Sequence, residues 1–207
     1  MRALLPLLPE KADRTHLEDA QAHYQKARKG LDDLAKGEPG KMPIHPQYLS
    51  AMLDRLASDD AIFTCDGGLA MLMGELLTLR QLKAPVKIIV YQNDALSFME
   101  LEMKAAGVIS FGTDLVNPDF ARLDDACGIF GRNVEDPEEL EESLRAAFDH
   151  RGPALVSVKV VRLELSLPPT IDFEQAKGFG IYLIKAMLNG RGSEILDLAK
   201  TNLREVF

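Results

Sequence analysis

Two short stretches of this chain carry residue types suited to a hard metal ion and a phosphate group. One is Cys65-Asp66-Gly67-Gly68 and the other is Tyr91-Gln92-Asn93-Asp94. A carboxylate and an amide oxygen are hard ligands that suit Mg2+, which takes few ligands from protein and leaves the rest to phosphates and water. Glycines at 67 and 68 let backbone N–H groups approach a diphosphate at a helix N-terminus. Asp66 and Asn93 lie 27 positions apart. On pattern alone two readings stand level: a metal–diphosphate site, or two ordinary strand-end turns.

The flanking elements set the geometry. Residues 61–65 form a short apolar run and read as a buried strand ending in Asp-Gly-Gly. Residues 69–82 read as a helix rich in Leu and Met. Pro85 ends it, and 86–91 is the clearest strand of the sequence. One crossover helix makes these strands neighbours, with both carboxyl ends on the crevice where open parallel sheets bind ligands.

Farther along, 97–106 reads as a short helix ended by Gly107. Asn117-Pro118 opens another that runs to about 126, and 128–134 is a weaker strand. Asp136-Pro137-Glu138-Glu139 is a helix start, with Asp136 as cap, Pro137 first in the helix and Glu139 able to complete a capping box. The acidic run 135–142 reads as a solvated helix start favoured by the dipole. Residues 154–161 form an apolar strand. This alternation predicts an α/β fold, a parallel sheet with flanking helices.

The flanks differ in character. Residues 13–36 read as a polar helix capped by Asp13, followed by a linker at 36–41, and 46–56 reads as a helix. Beyond 161, Leu167-Pro168-Pro169 reads as an extended connector. Helices at 174–188 and 193–205 follow, separated by Gly190-Arg191-Gly192. Ile195, Leu198, Ala199, Leu203 and Val206 make one apolar face. The expected divisions are 1–41, 42–170 and 171–207.

A net charge of −8 argues against a nucleic-acid partner. Cys65 and Cys127 lack metal-ligand spacing and read as reduced core thiols of a cytoplasmic protein. His16, His23, His45 and His150 are scattered and read as surface or loop residues. The apolar start, residues 1–8, is short and broken by Pro6, so it does not read as a signal peptide. No stretch is long enough to span a bilayer.

The segments 61–66, 67–73, 85–93, 99–107 and 174–203 together resemble a bacterial quinone-linked pyruvate dehydrogenase, also called pyruvate oxidase. The similarity runs from Arg2-Ala3-Leu4-Leu5-Pro6-Leu7, through 29–36 and Ile44-His45-Pro46-Gln47-Tyr48-Leu49, to Leu198-Ala199-Lys200-Thr201-Asn202. It implies a shortened thiamine-diphosphate-binding fold with helical N- and C-terminal appendages. The family motif is Gly-Asp-Gly, a spacer, then Asn-Asn, and the separation of Asp66 from Asn93 looks the same. Carried over, the metal ligands are Asp66, Asn93 and the carbonyl of Ala95, with Gly67 and Gly68 also at the cofactor. The implied cofactors are thiamine diphosphate and Mg2+, with FAD belonging to the family's middle domain.

Several departures stand out. Cys65 replaces the first Gly, Gln92 replaces the first Asn, and Asp94 stands where a neutral residue is usual. The Asp94 charge either helps hold Mg2+ or repels the phosphates. A strand like 62–66 lies well upstream of the motif in the family, whereas here it joins Gly67-Gly68 directly. Either the fused strand takes the place of the lost one, or the sheet loses a strand and much of the cofactor wall.

The first 41 residues look like the tail of the flavin-binding middle domain. In the family a partner subunit supplies a glutamate that activates the cofactor, and flavin accepts the electrons. The expectation is that this chain alone does not oxidise pyruvate, and no catalytic residue is assigned within it. The resemblance also implies peripheral attachment to the inner face of the plasma membrane through 192–207. Residues 191–207 balance three basic groups (Arg191, Lys200, Arg204) against three acidic ones (Glu194, Asp197, Glu205). Lipid binding would then rest on the apolar face and Phe207, and the alternative is a helix packed on its own domain or on a partner. Two functional readings stay open. One is a cofactor module working as a homo-oligomer or with other subunits. The other is a degenerate, non-catalytic fragment serving assembly or lipid interaction.

Overall fold

Two strands are apolar on both faces, and the fold is built around them. In the computed structural model, which describes residues 13–57, 62–162 and 173–206, β2 (Lys87–Gln92) and β4 (Ala154–Lys159) lie side by side at the centre of a four-stranded sheet. Ile89, Val90, Leu155 and Val156 are fully buried, as expected where helices cover both sides of a parallel sheet. β1 (Ile62–Cys65) and β3 (Phe130–Val134) form the edges, giving the order β1-β2-β4-β3. All pairings are parallel. Arg132 and Asn133 on edge strand β3 are exposed. This is the parallel α/β architecture read from the sequence.

Alternate residues of β2 and β4 face opposite helix layers. On one side α2 (Pro46–Leu56) and α7 (Pro137–Asp149) bring Leu49, Met52, Leu140 and Leu144 against Ile89, Val156 and Val158. On the other, α3 (Asp66–Leu72), α4 (Glu75–Leu82) and α6 (Phe120–Ala126) bring Leu69, Leu76 and Phe120 against Val90 and Leu155. Both helices of the first layer start with proline after a capping side chain. The His45 ring accepts from Gln47 N at 3.4 Å, and the Asp136 carboxylate from Glu138 N at 2.9 Å.

Three expectations need correction. The helix read as 69–82 is two helices, beginning at Asp66 and turning at Met73 and Gly74. Glycine in a helix interior costs about 1 kcal/mol against alanine, which favours a break there. The helix read from Asn117 starts only at Phe120, capped by Asp119, because the Asn117 side chain is drawn into the strand-end crevice. Cys65 is not a core thiol: it is exposed, at the end of an edge strand, and Cys127 is half-buried. The expected position Ala61 and the connector Leu167-Pro168-Pro169 lie outside the described residues, as does the apolar stretch 1–8.

The flanking helices pack back on this core. α1 (Thr15–Ala35) is exposed along most of its length, with Leu34 buried near its end, and it meets α2 and the last helix, α9 (Gly192–Val206). The N-cap of α1 is Arg14 and not the expected Asp13, which stands two positions before the helix and accepts from Thr15 N at 3.0 Å. The expected apolar face of α9 is partly turned inward: Leu198 is buried and Ile195 half-buried, while Ala199 is exposed. The side chains of Leu203 and Val206 lie outside the described residues.

α8 (Phe173–Leu188) lies on α5 (Ser97–Ala105) at very short range. A Cβ at Gly178 would stand 1.8 Å from the Ala105 carbonyl oxygen, so only glycine allows the approach. Lys185 Nζ donates to Gly107 O at 2.8 Å, and the Lys104 ammonium stands 5.5 Å from the centre of the buried Tyr182 ring. Lys104 also pairs with buried Glu100 at 2.7 Å, and Arg162 bonds both Glu100 and Asp114.

Among the described residues, the core acid Asp124 has no hydrogen-bond partner. Asp124 on α6 is fully buried, and neither carboxylate oxygen has a hydrogen bond. Burial pushes its pKa up to about 7. An unfolded Asp ionises near 4, so between about pH 4 and 7 the unfolded chain has lost this proton while the folded chain keeps it. Stability therefore falls as pH rises through that window and is flat in this group above it. Asp124→Ala removes the penalty, on the order of 4 kcal/mol at neutral pH. Its unfolding midpoint should exceed that of the parent at pH 7.5 and converge with it below pH 4. Urea unfolding across that range checks this, and parallel pH curves for the two proteins would contradict it.

Candidate functional site

The carboxyl ends of β1 and β2 meet through one side chain. Cys65 pairs with Tyr91, so Asp66 emerges beside Gln92. As the first residue of α3 it sits where a carboxylate is favoured by the helix dipole. Asp66 is 0% exposed. Its Oδ1 accepts from Gly67 N at 3.0 Å. Its Oδ2 accepts from Asp94 N and from Asn117 Nδ2, each at 2.7 Å. Three N–H donors thus compensate one desolvated charge, as a buried carboxylate requires.

Asn93 and Ala95 occupy the loop after β2. Asn93 Oδ1 accepts from Ala95 N at 3.2 Å, and Asn93 Nδ2 reaches Ser97 Oγ at 2.6 Å. This side-chain turn leads the chain into α5. Ala95 is nearly buried and bridged to Asp114, through Leu96 N to Thr113 O at 2.8 Å and Leu115 N to Asp94 O at 2.9 Å.

Between these residues Asp94 adopts φ 54°, a left-handed conformation that Asp tolerates better than most residues. The turn aims its N–H at Asp66. Its Oδ1 accepts from Gln92 Nε2 and Asn117 Nδ2, both at 2.9 Å, and its Oδ2 is ion-paired with Lys159. Burial raises its pKa, but the hydrogen bonds from Lys159, Gln92 and Asn117 outweigh burial and hold it below the usual carboxylate value. Gln92 Oε1 accepts from Ser157 Oγ at 2.8 Å.

These donors suit a hard cation in kind: a carboxylate, an amide oxygen and a backbone carbonyl. Among the described residues no group of three or more His, Cys, Asp or Glu is placed to hold a metal ion. An ion here would rely on amide, carbonyl and ligand oxygens as much as on carboxylate. In this conformation the site residues bond one another. A Cβ on Gly67 would lie 3.1 Å from Leu96 Cδ2 and 3.4 Å from Leu115 Cδ1, so these leucines cover the start of α3. A Cβ on Gly68 would come within 3.0 Å of Thr64 Oγ1. The residue types fit a metal–diphosphate group, and admitting one requires the 94–96 and 115–117 segments to move off Asp66.

The fold thus gathers the sequence-derived residues at two adjacent strand ends. Asp66 is tied to the backbone of Asp94, while the Asn93 side chain points along its own loop to Ser97. β1 stands directly beside β2 and delivers Asp66 to its end. Asn117, Lys159 and Ser97 were not singled out from sequence. A signal existed for Lys159, a charge interrupting the apolar run Val158-Lys159-Val160. For Asn117 the following Pro118 marks only a helix start.

The C-terminal TPP binding domain of thiamine pyrophosphate enzymes matches residues 52–158, and the chain belongs to that family. It is 34% identical over 148 residues to a putative thiamine pyrophosphate-containing protein of Bacillus subtilis, YdaP, covering 71% of this chain and 25% of that one. It is 31% identical to a probable 2-ketoarginine decarboxylase, AruI, of Pseudomonas aeruginosa, over 55% of this chain and 21% of that one. It is 29% identical to a probable acetolactate synthase large subunit of Methanococcus aeolicus, over 67% and 24%. The chain spans about a quarter of the length of these curated relatives.

Replacing Asp66 by Ala leaves the Asp94 N–H and the Asn117 amide without their shared acceptor. The expected loss is about 3 kcal/mol, read as a lower midpoint in urea unfolding. A midpoint equal to the parent's would show that the clamp contributes nothing.

Proposed function

We propose that this chain binds thiamine diphosphate with Mg2+ as the C-terminal part of an enzyme like the quinone-linked pyruvate dehydrogenases. Asp66, Asn93 and the Ala95 carbonyl would hold the metal, and Gly67 and Gly68 lie at the diphosphate. One observation carries the reading: the family's ligand types stand at the ends of two hydrogen-bonded parallel strands, in a chain that belongs to the TPP-binding family. Bound there, thiamine diphosphate would supply a nucleophilic carbon for chemistry at the carbonyl of a 2-oxo acid. This chain's residues bind and orient it, with the Asn93–Ser97 turn fixing the loop that carries two of the three ligands.

The relatives named for acetolactate synthesis and 2-ketoarginine decarboxylation support a 2-oxo acid as the substrate class. The choice of pyruvate, with electrons passed through FAD to quinone, rests on the resemblance over 2–7, 29–36 and 198–202. In this reading the activating glutamate and the flavin come from segments or subunits outside residues 1–207, and oxidation of pyruvate needs them. A second reading, a non-catalytic assembly module, is favoured by the complete burial and threefold hydrogen bonding of Asp66.

Titration calorimetry of the whole chain separates the two. The cofactor reading predicts saturable heat with thiamine diphosphate that requires Mg2+, and at least tenfold weaker binding in Asn93→Ala, equivalent to about 1.4 kcal/mol. A folded parent that gives no heat would sink it.

The reading also places the chain in the cytoplasm, with the C-terminal helices at a membrane surface. Ile184, Met187 and Leu188 of α8 and Leu196 of α9 are exposed apolar side chains close together in sequence. No helix among the described residues is long and apolar enough to cross a membrane, so the attachment would be interfacial. Flotation with liposomes should be lost on deleting 192–207, and equal flotation of both forms would remove this role.

A further inference from the structure

Asp94 is the departure from the family pattern that bears most directly on a diphosphate. A second carboxylate joins Asp66 in the crevice, and one amide nitrogen, Asn117 Nδ2, bonds both acids at 2.9 and 2.7 Å. Left alone, that pair would repel an anionic ligand. The structure shows what answers the extra charge. Lys159, the last residue of β4, is in register with Gln92 and places its ammonium on Asp94 Oδ2.

Two features set this pair apart from an ordinary surface ion pair. First, it stands at the carboxyl ends of the two central strands, where ligands of open parallel sheets bind. Second, Lys159 and Asp94 are 32% and 33% exposed, whereas Asp66 beneath is 0% exposed. The pair therefore lies nearer to solvent than the Asp66 carboxylate to which Asn117 links it.

We infer that Lys159 is a specificity-determining residue of the cofactor site, neutralising Asp94 so that the crevice accepts a diphosphate as well as a divalent cation. This rests on the cofactor reading above. Its consequence is a change of opposite sign for two ligands. Removing the Lys159 charge exposes Asp94, which strengthens binding of a bare divalent cation and weakens binding of the diphosphate. A merely structural role for Lys159 would weaken both together.

The experiment uses the whole chain with two probes: Mn2+ alone, followed by electron paramagnetic resonance, and thiamine diphosphate with Mg2+, followed by calorimetry. The variants are Lys159→Met, Lys159→Arg and the double variant Lys159→Met/Asp94→Asn, each checked for folding by circular dichroism. In Lys159→Met, Mn2+ should bind about tenfold tighter and thiamine diphosphate about tenfold weaker. Lys159→Arg should stay within about threefold of the parent for both probes, and the double variant should return toward the parent for both. These steps are sized by the tenfold equivalence of about 1.4 kcal/mol.

Changes of the same sign for both probes, or a double variant as impaired as Lys159→Met, would overturn the inference while leaving the cofactor reading intact. A folded parent that does not bind thiamine diphosphate would remove both. If Lys159→Met does not fold, Lys159→Gln and the double variant carry the same comparison. The inference then falls if Lys159→Gln shifts both probes in one direction.

Discussion

A single desolvated carboxylate organises this end of the molecule. Asp66 has no exposed surface, and a buried charge is tolerated only when hydrogen bonds replace its water. Its three donors come from three segments: the start of α3, the loop after β2 and the stretch before α6. Satisfying it explains several local oddities together. Asp94 takes a left-handed turn that aims its N–H at Asp66. Asn117 leaves the helix it was expected to open, and α6 begins three residues later. The crevice is closed because its polar atoms bond one another.

From this clamp the structure continues along α5. The Asn93–Ser97 bond fixes the start of that helix. Its far end lies under α8, where Gly178 allows backbone contact with Ala105. Glu100 and Lys104, both buried, join the middle of α5 to Arg162 and to the Tyr182 ring. One helix thus touches both the candidate ligand loop and the C-terminal segment. A shift of the 94–96 loop must be absorbed by a helix whose other contacts are tight. Removing one member of such a buried ion-pair network leaves the others uncompensated.

Two of the three departures from the family motif, Gln92 and Asp94, are complemented in space, whereas Cys65 is exposed at the sheet edge. Gln92 is bonded to Ser157, Asp94 to Lys159, and Asn117 bridges Asp66 and Asp94. Each partner comes from β4 or from the loop before α6, distant in sequence and adjacent through parallel pairing. A residue that looked anomalous in the motif therefore has a charge or hydrogen-bond complement across the sheet. Neither Asp94 nor Lys159 can be understood alone, because each alone would leave a partly buried charge without a counter-ion.

The sequence by itself determined the layered architecture, since that rests on local periodicity. The apolar runs at 86–91 and 154–161 read as strands, and Pro46 and the Asp136-Pro137 pair marked two helix starts, whereas the cover on both faces and the His45 cap emerged only in the structure. It also determined that Asp66 and Asn93 stand at neighbouring strand ends, because one short crossover allows little else. Tertiary structure alone decided what those residues do there. The Asp66 carboxylate is saturated, Asn93 turns to Ser97, Cys65 faces outward on an edge, and Lys159 cancels Asp94. Apart from the local Asn93–Ser97 turn, those outcomes depend on strand order and on contacts distant in sequence, from the 28 positions between Asp66 and Asp94 to the 65 between Asp94 and Lys159. No local pattern encodes them, because side chains from separate strands meet only after the sheet has paired.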